Sequence, residues 1–97
     1  MTKPNSTVHL LQKSPFNSDA LASCLRVCGP DDVIVLMQDG VYAATQHREW
    51  PCQQVVALTE DLAERGVAER LQPEITSIDY SELVALCSEH RHSQSWF

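Results

Sequence analysis

The chain has 97 residues, 43% of them apolar, and a net charge of −6. That length fits one domain, the composition excludes disorder, and a chain this short buries only about two-thirds of its unfolded surface, leaving apolar area to face a partner. The negative charge argues against a protein that grips nucleic acid through phosphate contacts, so any service to an RNA pathway is indirect.

The opening residues, Met1-Thr2-Lys3-Pro4-Asn5-Ser6, are polar, so the expectation is a single domain over residues 1–97 whose first six residues are flexible. The apolar run after them is too short for a signal peptide, and no segment approaches the length of a membrane span. The expectation is a cytoplasmic chain without a membrane partner. Its cysteines, Cys24, Cys28, Cys52 and Cys87, should then be thiols. None stands in a CxxC pair, which leaves a thioredoxin-type dithiol or a zinc ribbon without support.

The first predicted strand is Thr7-Val8-His9-Leu10-Leu11. A helix beginning near Asn17 or Ser18 follows, with Leu21, Leu25 and Cys28 on one face and Gly29-Pro30 as its stop. Residues 32–37 form the second strand, whose unbroken run Val33-Ile34-Val35-Leu36-Met37 reads as covered on both faces. The run breaks on Gln38-Asp39-Gly40, and Val41-Tyr42-Ala43-Ala44 reads as a short helix. The third strand is Gln54-Val55-Val56-Ala57-Leu58, followed by a helix over residues 59–66 with Thr59 as cap, acidic residues in its first turn and Arg65-Gly66 as its close. A fourth strand over residues 75–79 leads to a helix over 81–89 carrying Leu83, Val84, Leu86 and Cys87. Alternating strands and helices predict a three-layer α/β fold of about four mostly parallel strands with helices on both faces.

In an open parallel sheet, ligands collect at the carboxyl ends of the strands. Gln38, Asp39 and Gly40 would stand there as a strand-end binding turn. The plainer reading is a sharp connection, with Asp39 as N-cap and Gly40 relieving backbone strain.

The order of local motifs carries more than any one of them. Ser14-Pro15-Phe16 follows strand one and Cys24 sits on the next helix; Leu36-Met37-Gln38-Asp39-Gly40-Val41-Tyr42-Ala43-Ala44 comes next. Then come Ala57-Leu58-Thr59-Glu60-Asp61-Leu62-Ala63-Glu64-Arg65-Gly66, Ile78-Asp79-Tyr80 and Ser93-Gln94-Ser95-Trp96. From about Thr7 to Phe97 this series resembles the DsrH/TusB family, the small subunit of the DsrEFH and TusBCD sulfur-relay complexes. The resemblance implies a four-stranded α/β fold and a cytoplasmic hetero-oligomer with homologous DsrE/TusD-like and DsrF/TusC-like subunits. It also implies a DsrC/TusE-like acceptor downstream and persulfide sulfur passed between protein cysteines. That sulfur ends in 2-thiouridine at the wobble position of transfer RNA in one branch and serves sulfur oxidation in the other. One departure stands out: residues 45–53 are shorter than in many relatives, and Trp50-Pro51-Cys52 replaces a longer helix.

Sulfur relay needs an exposed thiol with a useful thiolate fraction. Cys24 is the catalytic candidate, because DsrH-type members have a cysteine on this helix after Ser-Pro-Phe. Many TusB-type members lack it, and the principal sulfur-carrying cysteine of the relay belongs to a larger sister subunit. Two turns into its helix, Cys24 gains little from the amino-terminal dipole, so an inert core thiol is the competing reading. Cys28 and Cys87 share faces with apolar residues and read as core, whereas Cys52 reads as exposed in a loop. Cys87, His90 and His92 match no common zinc spacing, so neither a metal nor another cofactor is expected. His9 reads as a packed, hydrogen-bonded histidine, and Tyr80 as packed at the end of strand four. Trp96 and Phe97 either fold back or fill a subunit interface.

Three functions follow: a sulfur carrier (a sulfurtransferase subunit) using Cys24, a structural subunit of the relay, or a stand-alone α/β binding module.

Overall fold

The computed structural model describes the backbone of residues 3–96 and the side chains of residues 6–96. Strands β1 (Lys3–Leu11), β2 (Val33–Leu36), β3 (Gln54–Leu58), β4 (Thr76–Ile78) and β5 (His90–Trp96) form one sheet in the order β4-β3-β2-β1-β5. All neighbouring pairs run parallel. Every residue of β2 is buried, as its unbroken apolar run requires of a central strand covered on both faces.

The α/β architecture with a parallel sheet is as the sequence predicts, and β5 is the addition. Its sequence, His90-Arg91-His92-Ser93-Gln94-Ser95-Trp96, is polar and largely exposed, so no apolar periodicity marks it. It lies at the sheet edge beside β1, where polar and charged side chains also discourage pairing with another chain. β1 begins at Lys3, and Ser6 is buried with its hydroxyl 2.7 Å from His90 Nδ1.

Helix α1 (Ala20–Val27), a 3-10 helix (Gln38–Thr45) and α2 (Thr59–Glu64) cover one face of the sheet. Leu21, Cys24, Val41, Ala44 and Leu62 pack there against Leu11, Ile34, Leu36 and Ala57. Helix α3 (Tyr80–Glu89) covers the other face, setting Leu83 and Leu86 against Val8, Val33, Val35, Val56 and Leu58. Three short steps from β1 to β4 use the first face, and the long return to β5 uses the second. Right-handed crossovers impose this division when the chain reverses direction across a sheet.

Two caps differ from expectation. Leu58 rather than Thr59 is the N-cap of α2, and the Thr59 hydroxyl donates instead to Ile78 O at 3.0 Å, joining β3 to β4. Tyr80 is exposed on the first turn of α3 rather than packed at the strand end, because a capping box of Asp79 and Glu82 starts the helix one residue earlier than expected. Gly66 closes α2 at φ +65°, the left-handed position that favours glycine. Among the described residues no helix is long and apolar enough to cross a membrane.

Candidate functional site

The turn after β2 lies at the carboxyl edge of the sheet. Met37 N–H donates to Leu11 O at 3.0 Å, which binds the start of the turn to the end of β1. Gln38 then adopts φ +50°, a left-handed conformation costing a non-glycine residue about 1–2 kcal/mol. Asp61 at the start of α2 holds it there, its Oδ2 accepting the Gln38 N–H at 2.6 Å. Arg65 completes the clasp, donating from Nε to Asp39 Oδ1 at 2.9 Å and lying 3.9 Å from Asp61 Oδ1.

This geometry corrects the plainer reading of the turn on two points. Asp39 is not the N-cap; Met37 holds that position with no side-chain cap bond, and the Asp39 carboxylate faces Arg65. Gly40 is not the strained residue; Gln38 is. Gly40 is glycine because a Cβ there would lie 2.9 Å from the Leu11 carbonyl carbon and closer still to its oxygen. The Gln38 and Gly40 amides and the Asp39 carboxylate are thus engaged within the chain, while the Gln38 side chain is exposed.

A second cluster, on the α1 face, was not assembled by sequence reasoning. Asp32 immediately precedes β2. Its Oδ1 accepts from Thr7 N at 3.0 Å, and its Oδ2 accepts from Gly29 N and from His9 Nε2, both at 2.9 Å. Burial alone would push this carboxyl up, but the bonds from Gly29, His9 and Thr7 outweigh it and hold Asp32 below the usual carboxylate range. Trp96 Nε1 donates to His9 Nδ1 at 3.1 Å, with ring centroids 6.0 Å apart. An indole N–H only donates, so Nδ1 accepts and the ring proton sits on Nε2, directed at Asp32. Cys28 adjoins this cluster, its thiol donating to Gly29 O at 3.6 Å, with Cys52 close by.

Cys24 lies beneath α1 with no exposed surface. Burial first, then the neighbouring Cys52 and Asp32, push its thiol up to about 12. A thiol with that pKa is ionised to only about one part in 100,000 at neutral pH. Burial likewise raises Cys28, Cys52 and Cys87. Cys52 is buried rather than exposed: its side chain joins the core that Trp50 packs against, and its thiol donates to Gln54 O at 3.5 Å. Cys87, His90 and His92 do not converge; among the described residues the one cluster of metal-ligating groups is His9, Cys28 and Asp32. His9 is buried and hydrogen-bonded, as its place in β1 suggests. Trp96 folds back onto its own chain through His9, and Phe97 lies outside the described residues.

The order of elements, the turn held against β1 and the helix bearing Cys24 invite comparison with known proteins. A family model described as DsrH like protein matches residues 13–93. The chain belongs to the DsrH/TusB family. It is 36% identical over 96 residues to Protein TusB of Escherichia coli O81 (strain ED1a), covering 92% of this chain and 99% of that protein. Protein TusB of Escherichia coli O139:H28 (strain E24377A) is 34% identical over the same shares. The solution structure of Protein Tm0979 from Thermotoga maritima is similar in fold, with a TM-score of 0.67 and 29% identity over 84% of this chain and 91% of that one. This DsrH/TusB chain therefore shares the family's fold along most of its length, with its cysteine on α1 turned into the core.

Proposed function

We propose that this chain is the small, structural subunit of a cytoplasmic sulfur-relay complex. Its partners are homologous DsrE/TusD-like and DsrF/TusC-like subunits, and the persulfide sulfur passes onward to a DsrC/TusE-like acceptor. Similarity to TusB proteins over 92% of the chain favours the branch that ends in 2-thiolation of the transfer RNA wobble uridine over the sulfur-oxidation branch.

The observation that carries the structural role is the enclosure of Cys24. A carrier thiol must reach the outer sulfur of a donor persulfide as a thiolate. Cys24 lacks both access and ionisation, and it belongs to the buried cluster that includes Leu21, Ile34 and Leu36. The sulfur-carrying cysteine then belongs to a partner, and this chain contributes surface. Phe16 beside α1 and Val84 on α3, 61% and 68% exposed, are apolar side chains suited to burial in an assembly.

Co-expression with two homologous subunits, followed by affinity capture and light scattering, tests the assembly. A hetero-oligomer holding all three chains is the expected result. A monomer that captures neither homologue contradicts it. Deletion of the gene should lower wobble 2-thiouridine in bulk transfer RNA, and unchanged 2-thiouridine would move the chain to the sulfur-oxidation branch.

A further inference from the structure

We propose that His9, Cys28 and Asp32 form a binding site for a zinc-type divalent cation, independent of any role in sulfur relay. One ligand atom from each residue lies within 4.8 Å of the others. The three come from β1, the C-cap of α1 and the residue before β2, so the fold rather than one flexible segment brings them together. An imidazole nitrogen, a thiolate and a carboxylate form a mixed set that suits a borderline-soft ion better than magnesium or calcium.

The surroundings are those of a supported metal site. Asp32 is fixed by the amides of Thr7 and Gly29, which donate to its Oδ1 at 3.0 Å and its Oδ2 at 2.9 Å. Its side chain is 11% exposed, and Cys28 is half-buried, so the cluster is shielded but reachable. The short connection Gly29-Pro30-Asp31 between Cys28 and Asp32 is closed by the Asp32 N–H donating to Gly29 O at 3.1 Å. Outer hydrogen bonds of this kind orient the ligands that touch a metal.

Coordination has a defined proton balance. Cys28 gives up its thiol proton to solvent, Asp32 is already a carboxylate, and His9 stays neutral while its ring proton moves from Nε2 to Nδ1. The ion takes the place of that proton between His9 and Asp32. Nδ1–H then confronts the Trp96 N–H, two donors facing one another, so the indole must release His9. Metal loading is thereby coupled to the end of β5.

The test uses the 97-residue chain, reduced and stripped with chelator, titrated with zinc chloride by calorimetry. One ion per chain is expected. Cys28→Ser should weaken binding more than about 100-fold, while Cys87→Ser, on the far side of the sheet, should leave it unchanged. Zinc-edge X-ray absorption on the unsubstituted chain gives a result that does not depend on how variants fold. Sulfur at about 2.3 Å together with nitrogen or oxygen at about 2.0–2.1 Å supports the site. In a Trp50→Phe chain, zinc should change the Trp96 emission. Absence of saturable binding, binding unaffected by Cys28→Ser, a shell without sulfur or one of sulfur alone, or unaltered Trp96 emission overturns the proposal.

Discussion

Gly40→Ala should be among the most damaging small substitutions in the chain, through packing alone. The added Cβ would stand 2.9 Å from the Leu11 carbonyl carbon and nearer to its oxygen, and neither belongs to a side chain that can rotate away. Leu11 is fully buried, pairs with Leu36 in β2, and its carbonyl accepts from Met37 N. Relief therefore means moving β1 or the turn and losing that hydrogen bond. Overpacking costs about 1–3 kcal/mol, and a backbone obstacle places Gly40→Ala at the top of that range, about 3 kcal/mol. In a domain near 100 residues this corresponds to a fall in Tm of about 12–24 °C. Gly66→Ala is the control, because a Cβ there meets nothing within 4 Å and only the φ of +65° opposes it. Its cost is about 1–2 kcal/mol. Thermal unfolding followed by circular dichroism separates the two. A Gly40→Ala chain no less stable than Gly66→Ala would refute the reasoning.

Asp61→Ala removes the carboxylate that holds Gln38 in its left-handed conformation, and should cost about 1–3 kcal/mol in chemical denaturation; a neutral result would mean the turn holds itself. The lowered pKa of Asp32 is a stability contribution present in full above the usual value of 3.8 and lost as pH falls below it. Unfolding in chelator should therefore show less acid destabilisation for Asp32→Asn than for the parent in that window, and parallel pH profiles would contradict this. Alkylation of the native chain should be slow at every cysteine and slowest at Cys24 and Cys52, which are buried, with half-buried Cys28 and Cys87 ahead of them. Peptide mapping after timed labelling reads that order, and Cys24 labelled first would reverse it.

The parts of the fold legible in the sequence were those with apolar periodicity. The third strand matches at both ends, and β2, α1 and α2 fall where continuous runs and stop signals put them. β5 was not legible, because an edge strand shares little of the core and its pattern is polar; only its neighbour, β1, makes it a strand. The helix α3 is marked by apolar spacing, and its Asp79–Glu82 capping box is a second local signal that fixes its start at Tyr80. Position 40 required glycine, but the reason lies in Leu11, 29 positions away in sequence, so local rules supplied backbone strain instead. The cluster of His9, Asp32 and Trp96 depends on β5 returning beside β1, which local patterning does not encode. Cys24 illustrates the remaining gap. Its helix was evident, but which helical face meets the sheet decides between a carrier and a core thiol, and Ala20, Leu21 and Cys24 together form that buried face.

The central claim is that this chain supports a sulfur relay without carrying sulfur on Cys24. The most direct measurement is mass spectrometry of the assembled complex after incubation with a persulfide donor, comparing the parent with Cys24→Ala. The account predicts no added sulfur at Cys24 and equal transfer to the downstream acceptor by both complexes. One added sulfur on Cys24, with transfer lost in the Cys24→Ala complex, would contradict it.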